Sequence, residues 1–205
     1  MAYPGYGAPG GYPGAPPAGY GQPAGYPVPG GYPGGAPQAD PLFGYFSAVA
    51  GVDGQIDARE LQRCLTQSGI SGTYQPFSLE TCRIMIAMLD RDYSGKMGFS
   101  EFKELWTALS RWQQSFATYD RDRSGTVEPH ELQAALTSFG YNMTPQALGV
   151  ILRRFSSDGR VGFDDFVACL IKLRSLTTQF QQRDFQRNGT ASFRYDEFIQ
   201  VAMSL

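Results

Sequence analysis

Apolar and polar positions between residues 101 and 119 recur with the period of a helix. The apolar side chains follow one another at steps of one, three and four, and neither glycine nor proline interrupts the stretch. They are Phe102, Leu105, Trp106, Leu109, Trp112, Phe116 and Tyr119. The pattern predicts one amphipathic helix of about five turns, from Glu101 to Tyr119, with both tryptophans in the core.

The stretch from Asp165 to Arg183 repeats this arrangement. Its apolar positions are Phe166, Cys169, Leu170, Leu173, Leu176 and Phe180. The pattern predicts a second long helix. Each long helix is expected to leave one loop and enter the next, so that the two loops are connected mechanically.

Five glycines mark the loops between the helical stretches. They are Gly54, Gly95, Gly125, Gly159 and Gly189, which lie 41, 30, 34 and 30 residues apart. An acidic residue follows each glycine, six positions later in four cases and eight in the last. One loop with its flanking helices takes about this length, so the sequence predicts an all-α array of five helix–loop–helix units.

Composition divides the chain in two. Residues 1–39 carry no charged side chain, yet they hold twelve of the 25 glycines, ten of the 14 prolines and six of the 12 tyrosines. Such a segment cannot bury enough surface to order itself, so we expect a flexible Gly/Pro/Tyr-rich tail at 1–39 and one globular domain at 40–205. The exposed tyrosines are a candidate surface for proteins or a membrane interface.

Charge and cysteine usage exclude several classes of protein. The formal net charge of -2 leaves no basic surplus for phosphates, which argues against nucleic-acid binding. No stretch reaches the roughly 20 apolar residues of a membrane-spanning helix, and no secretory signal is visible. Cys64, Cys82 and Cys169 are too widely spaced for a disulfide framework or a C-x-x-C metal site, so we expect buried thiols and a cytoplasmic protein.

Two loops carry a complete pattern for a metal. DRDYSGKMGFSE, residues 90–101, and DRDRSGTVEPHE, residues 120–131, place oxygen side chains at positions 1, 3 and 5, glycine at 6 and glutamate at 12. This is the EF-hand calcium loop, in which a hard cation takes six to eight oxygens, including the carbonyl at position 7. The predicted ligands are Asp90, Asp92, Ser94, Lys96 (carbonyl) and Glu101, and Asp120, Asp122, Ser124, Thr126 (carbonyl) and Glu131.

The other three loops depart from that pattern. We count all five in the same twelve-residue frame, as residues 49–60, 90–101, 120–131, 154–165 and 184–195. The first loop has no acid at position 1, but a loop one residue shorter still offers oxygens from Ala50 (carbonyl), Asp53, Gln55 (carbonyl) and Glu60. The first loop is predicted to bind calcium more weakly than the second. The third loop is predicted to bind calcium at least as tightly as the second.

The fourth and fifth loops are expected to hold no calcium. Arg154 places a cation where the first carboxylate belongs, which opposes a metal ion electrostatically. Asp184 opens the fifth loop correctly, but the closing acid, Glu197, is displaced by two positions.

EF-hand loops usually pair through a short β-bridge at position 8, which leaves one of five without a partner. The last unit carries apolar residues that a monomer would partly expose, namely Phe180, Phe185, Phe193, Phe198, Ile199, Val201 and Met203. We therefore predict a homodimer through the fifth unit, at about residues 180–205, because a second copy closes the interface symmetrically.

The sequence resembles the penta-EF-hand family over essentially all of residues 41–205. The stretches YFSAVAGVDGQIDARELQRCLTQSGI, LETCRIMIAMLDRDYSGKMGFSEFKELW and FDDFVACLIKLRSLT carry the resemblance, and the tail is similar in kind. The resemblance implies a cytosolic homodimeric calcium sensor that moves reversibly to membranes and binds protein targets when calcium rises.

Two alternatives stay open. A passive calcium buffer would bind the ion without exposing apolar surface, and similarity to the calpain small subunit leaves room for a regulatory or structural dimer subunit. An enzyme is not expected, because the one histidine, His130, lies at position 11 of the third loop and no serine or cysteine has a histidine to activate it.

Overall fold

The computed structural model describes residues 40–90 and 94–203. Within these ranges, eight helices and two short strands follow one another. They are α1 (Pro41–Ser47), α2 (Ala58–Ser68), α3 (Leu79–Leu89), α4 (Phe99–Tyr119), β1 (Thr126–Val127), α5 (Pro129–Ser138), α6 (Pro145–Phe155), β2 (Val161–Gly162), α7 (Phe163–Gln181) and α8 (Tyr195–Met203). The predicted flexible tail, residues 1–39, lies outside the described residues.

Local sequence explains where several helices begin. The Asp57 carboxylate accepts hydrogen bonds from the backbone N–H groups of Arg59 and Glu60, which would otherwise lack partners at the start of α2. Ser78 caps α3 in the same way. Pro145 occupies the first position of α6, where its missing N–H costs nothing.

The two long helices predicted from the apolar spacing are confirmed. Helix α4 runs without interruption from the second loop to the third, and α7 from the fourth loop to the fifth. Each begins two residues earlier than the apolar pattern indicates, because extended Gly98 and Gly162 are the N-caps and the helix follows directly.

Aromatic side chains of the long helices fill the centre of the molecule. The Phe116 ring lies edge-on to Phe163 and Phe166, with centroids 5.3 and 5.1 Å away. Trp112 is buried as predicted. Trp106 is only half-buried, since it lies at the edge of the core and stacks on Tyr45 at 5.8 Å.

The predicted pairing through position 8 is confirmed for the first four loops. Strands β1 and β2 are antiparallel, and Val127 of the third loop pairs with Val161 of the fourth. Ile56 and Met97 form the corresponding bridge between the first and second loops, with two backbone hydrogen bonds of 2.9 Å. All four side chains are buried, so each bridge also contributes to the core.

The three cysteines are free thiols in the interior. Burial raises the pKa of Cys64 to about 11, and those of Cys82 and Cys169 to about 12. The prediction of buried thiols is confirmed, and a thiol with a raised pKa is a poor nucleophile and metal ligand.

Among the described residues, no helix combines the length and the apolar character needed to cross a bilayer.

Candidate metal centre

The aspartate at position 1 organises the backbone of the second and third loops. Asp120 is 97 % buried; its Oδ1 accepts from Ser124 N at 2.9 Å and its Oδ2 from Gly125 N at 3.1 Å. Asp90 accepts from the corresponding N–H groups at 3.0 and 2.8 Å. Gly125 has φ of +81°, a conformation that side chains resist, so glycine at position 6 permits the turn.

The oxygens at positions 5 and 7 also point into the loop. Ser124 Oγ donates to the carbonyl of Thr126 at 3.1 Å, and Ser94 Oγ to the carbonyl of Lys96 at 3.4 Å. Asp122 Oδ1 accepts from Ser124 N at 3.1 Å. Four of the five predicted ligand residues of the third loop are therefore brought together.

The closing glutamates lie in the helix that follows each loop rather than among the other loop oxygens. Glu60, Glu101 and Glu131 lie in the first turn of α2, α4 and α5, where Oε2 of each accepts from the backbone N–H at position 9. The three distances are 2.8, 2.9 and 3.0 Å. Each glutamate thus stabilises the start of the helix that follows its loop.

The donor set fits calcium by its chemistry. Carboxylates, a hydroxyl and a backbone carbonyl are hard oxygen ligands of the kind Ca²⁺ prefers. Within residues 40–90 and 94–203, the structure does not gather three acidic, histidine or cysteine side chains into one cluster. Asp92, predicted at position 3 of the second loop, lies outside the described residues.

The first loop brings its two carboxylates to one turn. A Cβ added to Gly51 would lie 3.3 Å from Asp53 Oδ1 and 4.0 Å from Glu60 Oε1. Ala50, whose carbonyl is a predicted ligand, immediately precedes that turn. Asp53 Oδ1 also accepts from the N–H of Gln55, the other predicted carbonyl ligand, at 3.3 Å.

A cation from the second loop reaches the first. Lys96 Nζ lies 2.5 Å from Asp53 Oδ2. This hydrogen bond, together with one from Gln55 N, lowers the pKa of Asp53. Sequence reasoning considered only the backbone carbonyl of Lys96 and missed the contact of its side chain.

The fourth and fifth loops are closed by their own hydrogen bonds. In the fourth, Ser157 and Arg160 form a tight β-bridge. In the fifth, Asp184 accepts from Asn188 N at 3.0 Å and Gly189 N at 2.8 Å, as position 1 does in the second and third loops. The displaced Glu197 accepts from Arg194 N instead, at 3.3 Å.

Two further residues at the third loop were missed by the sequence analysis. Arg160 of the fourth loop reaches Glu128 at 3.2 Å. Tyr74, from the segment between α2 and α3, lies against the loop; burial raises its pKa, and the charge and hydrogen bond of Asp120 add to the increase. No local sequence pattern predicts the contact of Tyr74 with the third loop. The register of the paired loops could have predicted the contact of Arg160.

Comparisons with known proteins agree with this geometry. Two models of an EF-hand domain pair match residues 53–109 and 109–170. Over the full length of both chains, the sequence is 58 % identical to human sorcin and 56 % identical to mouse grancalcin. A solved homolog of programmed cell death 6 protein from Leishmania major superposes with a TM-score of 0.63 at 31 % identity, covering 82 % of this chain and 92 % of that one.

Proposed function

Since this chain is a calcium-binding member of the penta-EF-hand family, close to sorcin and grancalcin, we propose that it is a calcium sensor. In this role it exposes apolar surface when calcium binds, and then associates with membranes and target proteins. The observation that carries the proposal is the third loop, in which the buried Asp120 accepts from the Ser124 and Gly125 N–H groups and Ser124 Oγ lies within hydrogen-bond distance of both Asp120 Oδ1 and the Thr126 carbonyl.

The ligands are assigned from the loop positions. In the third loop they are Asp120, Asp122, Ser124, the Thr126 carbonyl and Glu131. In the second they are Asp90, Asp92, Ser94, the Lys96 carbonyl and Glu101, and in the first the Ala50 carbonyl, Asp53, the Gln55 carbonyl and Glu60. We expect the third loop to be at least as tight as the second, and both to be tighter than the first.

The closing glutamates are the moving parts of this mechanism. Bound Ca²⁺ supplies a divalent charge that attracts every carboxylate of the loop. Glu131 would be drawn toward such an ion and would weaken its bond to the Glu128 N–H, and α5 would follow because the glutamate lies in its first turn. Glu101 acts in the same way on α4.

Movement of α4 would alter the apolar contacts between α4 and α1. Phe99 lies edge-on to Phe43 with centroids 5.1 Å apart, and Trp106 stacks on Tyr45. Phe43 and Tyr45 are already more than 40 % exposed, so little further displacement would open this cluster to water. We propose this cluster as the apolar surface that calcium enlarges.

We further propose that α7, the fifth loop and α8 form a fifth hand that pairs with the same hand of a second copy. No residue of α8 whose burial is described is buried, and the exposed large apolar side chains of this unit are Leu176, Phe185, Tyr195, Phe198, Ile199 and Met203. No β-bridge joins the fifth loop to another loop within the described residues. A second copy would cover this face with a closed, symmetric interface.

The place of action is proposed to be the cytoplasm, with reversible movement to membranes. Three free thiols fit a reducing compartment. We expect the tail at 1–39, with its six tyrosines, to contribute to docking, and we expect neither nucleic-acid binding nor enzymatic activity.

A calcium titration of the full-length protein, followed by calorimetry and by a dye that fluoresces on apolar surface, tests the proposal. A sensor binds in the range of about 10⁻⁷–10⁻⁵ M, and the dye signal rises along with binding. Calcium binding with an unchanged dye signal would instead identify a passive buffer or a regulatory dimer subunit. No heat at all would refute the ligand assignment.

A further inference from the structure

Charged residues alternate between the two loops of each pair. In the second and fourth loops, position 7 is a cation, Lys96 or Arg160, and position 9 is glycine. In the first and third loops, position 7 is neutral and position 9 is an acid, Asp57 or Glu128. The two pairs thus share one arrangement, in which the even loop carries the cation and the odd loop the anion.

The β-bridge explains why these positions meet. An antiparallel pair centred on position 8 of both loops sets position 7 of one loop opposite position 9 of the other. Thr126 at position 7 accordingly faces Gly162 at position 9. The same register carries Arg160 to Glu128 and Lys96 to Asp57, where opposite charges attract across the strands.

Arg160 makes three contacts with the third loop. Its Nη2 lies 3.2 Å from Glu128 Oε1, and its Nη1 lies 3.4 Å from Thr126 Oγ1 and 3.9 Å from Asp122 Oδ2. Asp122 is a proposed calcium ligand, and Glu128 is the acid at position 9 of the same loop. The guanidinium therefore sits beside the carboxylates that a calcium ion would use.

Lys96 makes the equivalent approach to the first loop. Its ammonium forms a hydrogen bond with Asp53, a proposed ligand of that loop. Lys96 thus places a cation on a carboxylate that a calcium ion in the first loop would use.

We propose that Lys96 and Arg160 lower the calcium affinity of the loop opposite to each of them, the first and the third. This inference rests on the proposed function, because it assumes that those two loops bind calcium. A fixed positive charge beside the ligands repels the arriving ion, and it stabilises the calcium-free carboxylates that binding must rearrange. The fourth loop, which we expect to hold no calcium, thus acts on the third through one side chain.

Neutral substitutions test the proposal in the full-length protein. Arg160→Met and Lys96→Met remove the charge but keep an unbranched apolar stem, and both leave the position-7 carbonyl in place. Calcium affinity is measured by calorimetry and by competition with a chromophoric chelator. We expect Arg160→Met to tighten the third site by about two- to fivefold at low ionic strength, and Lys96→Met to tighten the first by a similar factor.

Three controls separate charge from other effects. Arg111→Met removes a cation from the exposed middle of α4, about 15 Å from either of its loops, and should change neither site. Arg160→Lys should retain the affinity of the parent protein. At high salt the gain from Arg160→Met should shrink toward none, because mobile ions screen the exposed pair.

The outcomes distinguish this inference from the proposed function. If the parent protein binds calcium and both Met variants bind with unchanged or weaker affinity, the inference is wrong and the sensor proposal stands. A parent protein that binds no calcium would refute both. A gain that appears equally in Arg111→Met would overturn the inference as a mere effect of net charge.

Discussion

The third and fifth loops fold around the same arrangement of hydrogen bonds, although only the third has a complete set of oxygens for a metal. Asp120 and Asp184 are both at least 91 % buried, and each accepts from the N–H groups at positions 5 and 6. In the fifth loop, Asn188 Nδ2 donates to Gln186 Oε1, and Asn188 Oδ1 accepts from Thr190 N.

The two loops differ at position 3, where Gln186 replaces the aspartate that the third loop has as Asp122, and at position 12. Glu131 holds it in the third loop, while Tyr195, 77 % exposed, holds it in the fifth. The aspartate at position 1 is thus first a structural residue that shapes the loop. Calcium binding requires the additional carboxylates, and these are what the fifth loop has lost.

The largest effect is expected from removing the closing carboxylate of the third loop. Glu131→Gln should weaken the tightest calcium-binding step by about 100-fold, equivalent to about 2.7 kcal/mol, because a bidentate charged ligand is lost. Calorimetry measures this step, and Glu101→Gln is the matched control that should change it less. An unchanged tightest step in Glu131→Gln would reverse the proposed order of the sites.

An intermediate effect is expected at position 1, where the two loops are alike. Asp120→Asn and Asp184→Asn should each destabilise the calcium-free protein by about 1 kcal/mol, because a buried charged acceptor of two N–H groups is weakened. Denaturant unfolding in a chelator measures this loss.

Only Asp120→Asn should also weaken calcium binding. A loss of calcium affinity in Asp184→Asn would show that the fifth loop is a metal site and would contradict the comparison above. Circular dichroism of both variants establishes that they remain folded before calcium is added.

The smallest effect is expected at Asp165, which holds position 12 of the fourth loop. Burial raises the pKa of Asp165, and the nearby charge of Asp164 raises it further. Its ionised form therefore destabilises the fold above the raised pKa, and this penalty disappears as pH falls below the unfolded value. Asp165→Asn should raise Tm by about 1 °C at pH 7, allowing for solvent screening, and by nothing at pH 3.

The pH dependence is the check on this last prediction. Thermal unfolding of calcium-free protein at pH 7 and pH 3 compares the two conditions directly. A gain in Tm that is the same at both pH values would indicate better packing or helix propensity rather than a relieved charge.

Helix α4 and the second and third loops could be predicted from the sequence because their signals are local. The period of 3.6 residues marks the apolar face, and each loop frame needs only twelve consecutive positions. One long-range contact could also be predicted, the pairing of loops at position 8, because EF-hand loops pair in a fixed way. Ile56 and Met97 meet as that rule requires.

Contacts between distant side chains were harder to predict. Tyr74 lies beside Asp120, 46 positions away, because the segment after α2 folds back over Phe116 and Phe163. No periodicity encodes that path. Lys96 was identified for its carbonyl alone, since its side chain gains a partner only when the first loop is brought alongside.

The 21 residues of α4 form one unbroken helix between the second and third loops. At 1.5 Å per residue the helix is about 31 Å long, and it contains no glycine or proline hinge to absorb a rotation. A swing of about 10° at its first turn would therefore carry its last turn by about 5 Å by this geometry. A tilt of α4 at Glu101 would thus displace Asp120, at the other end of the helix, by several ångströms, because the helix moves as a rigid unit.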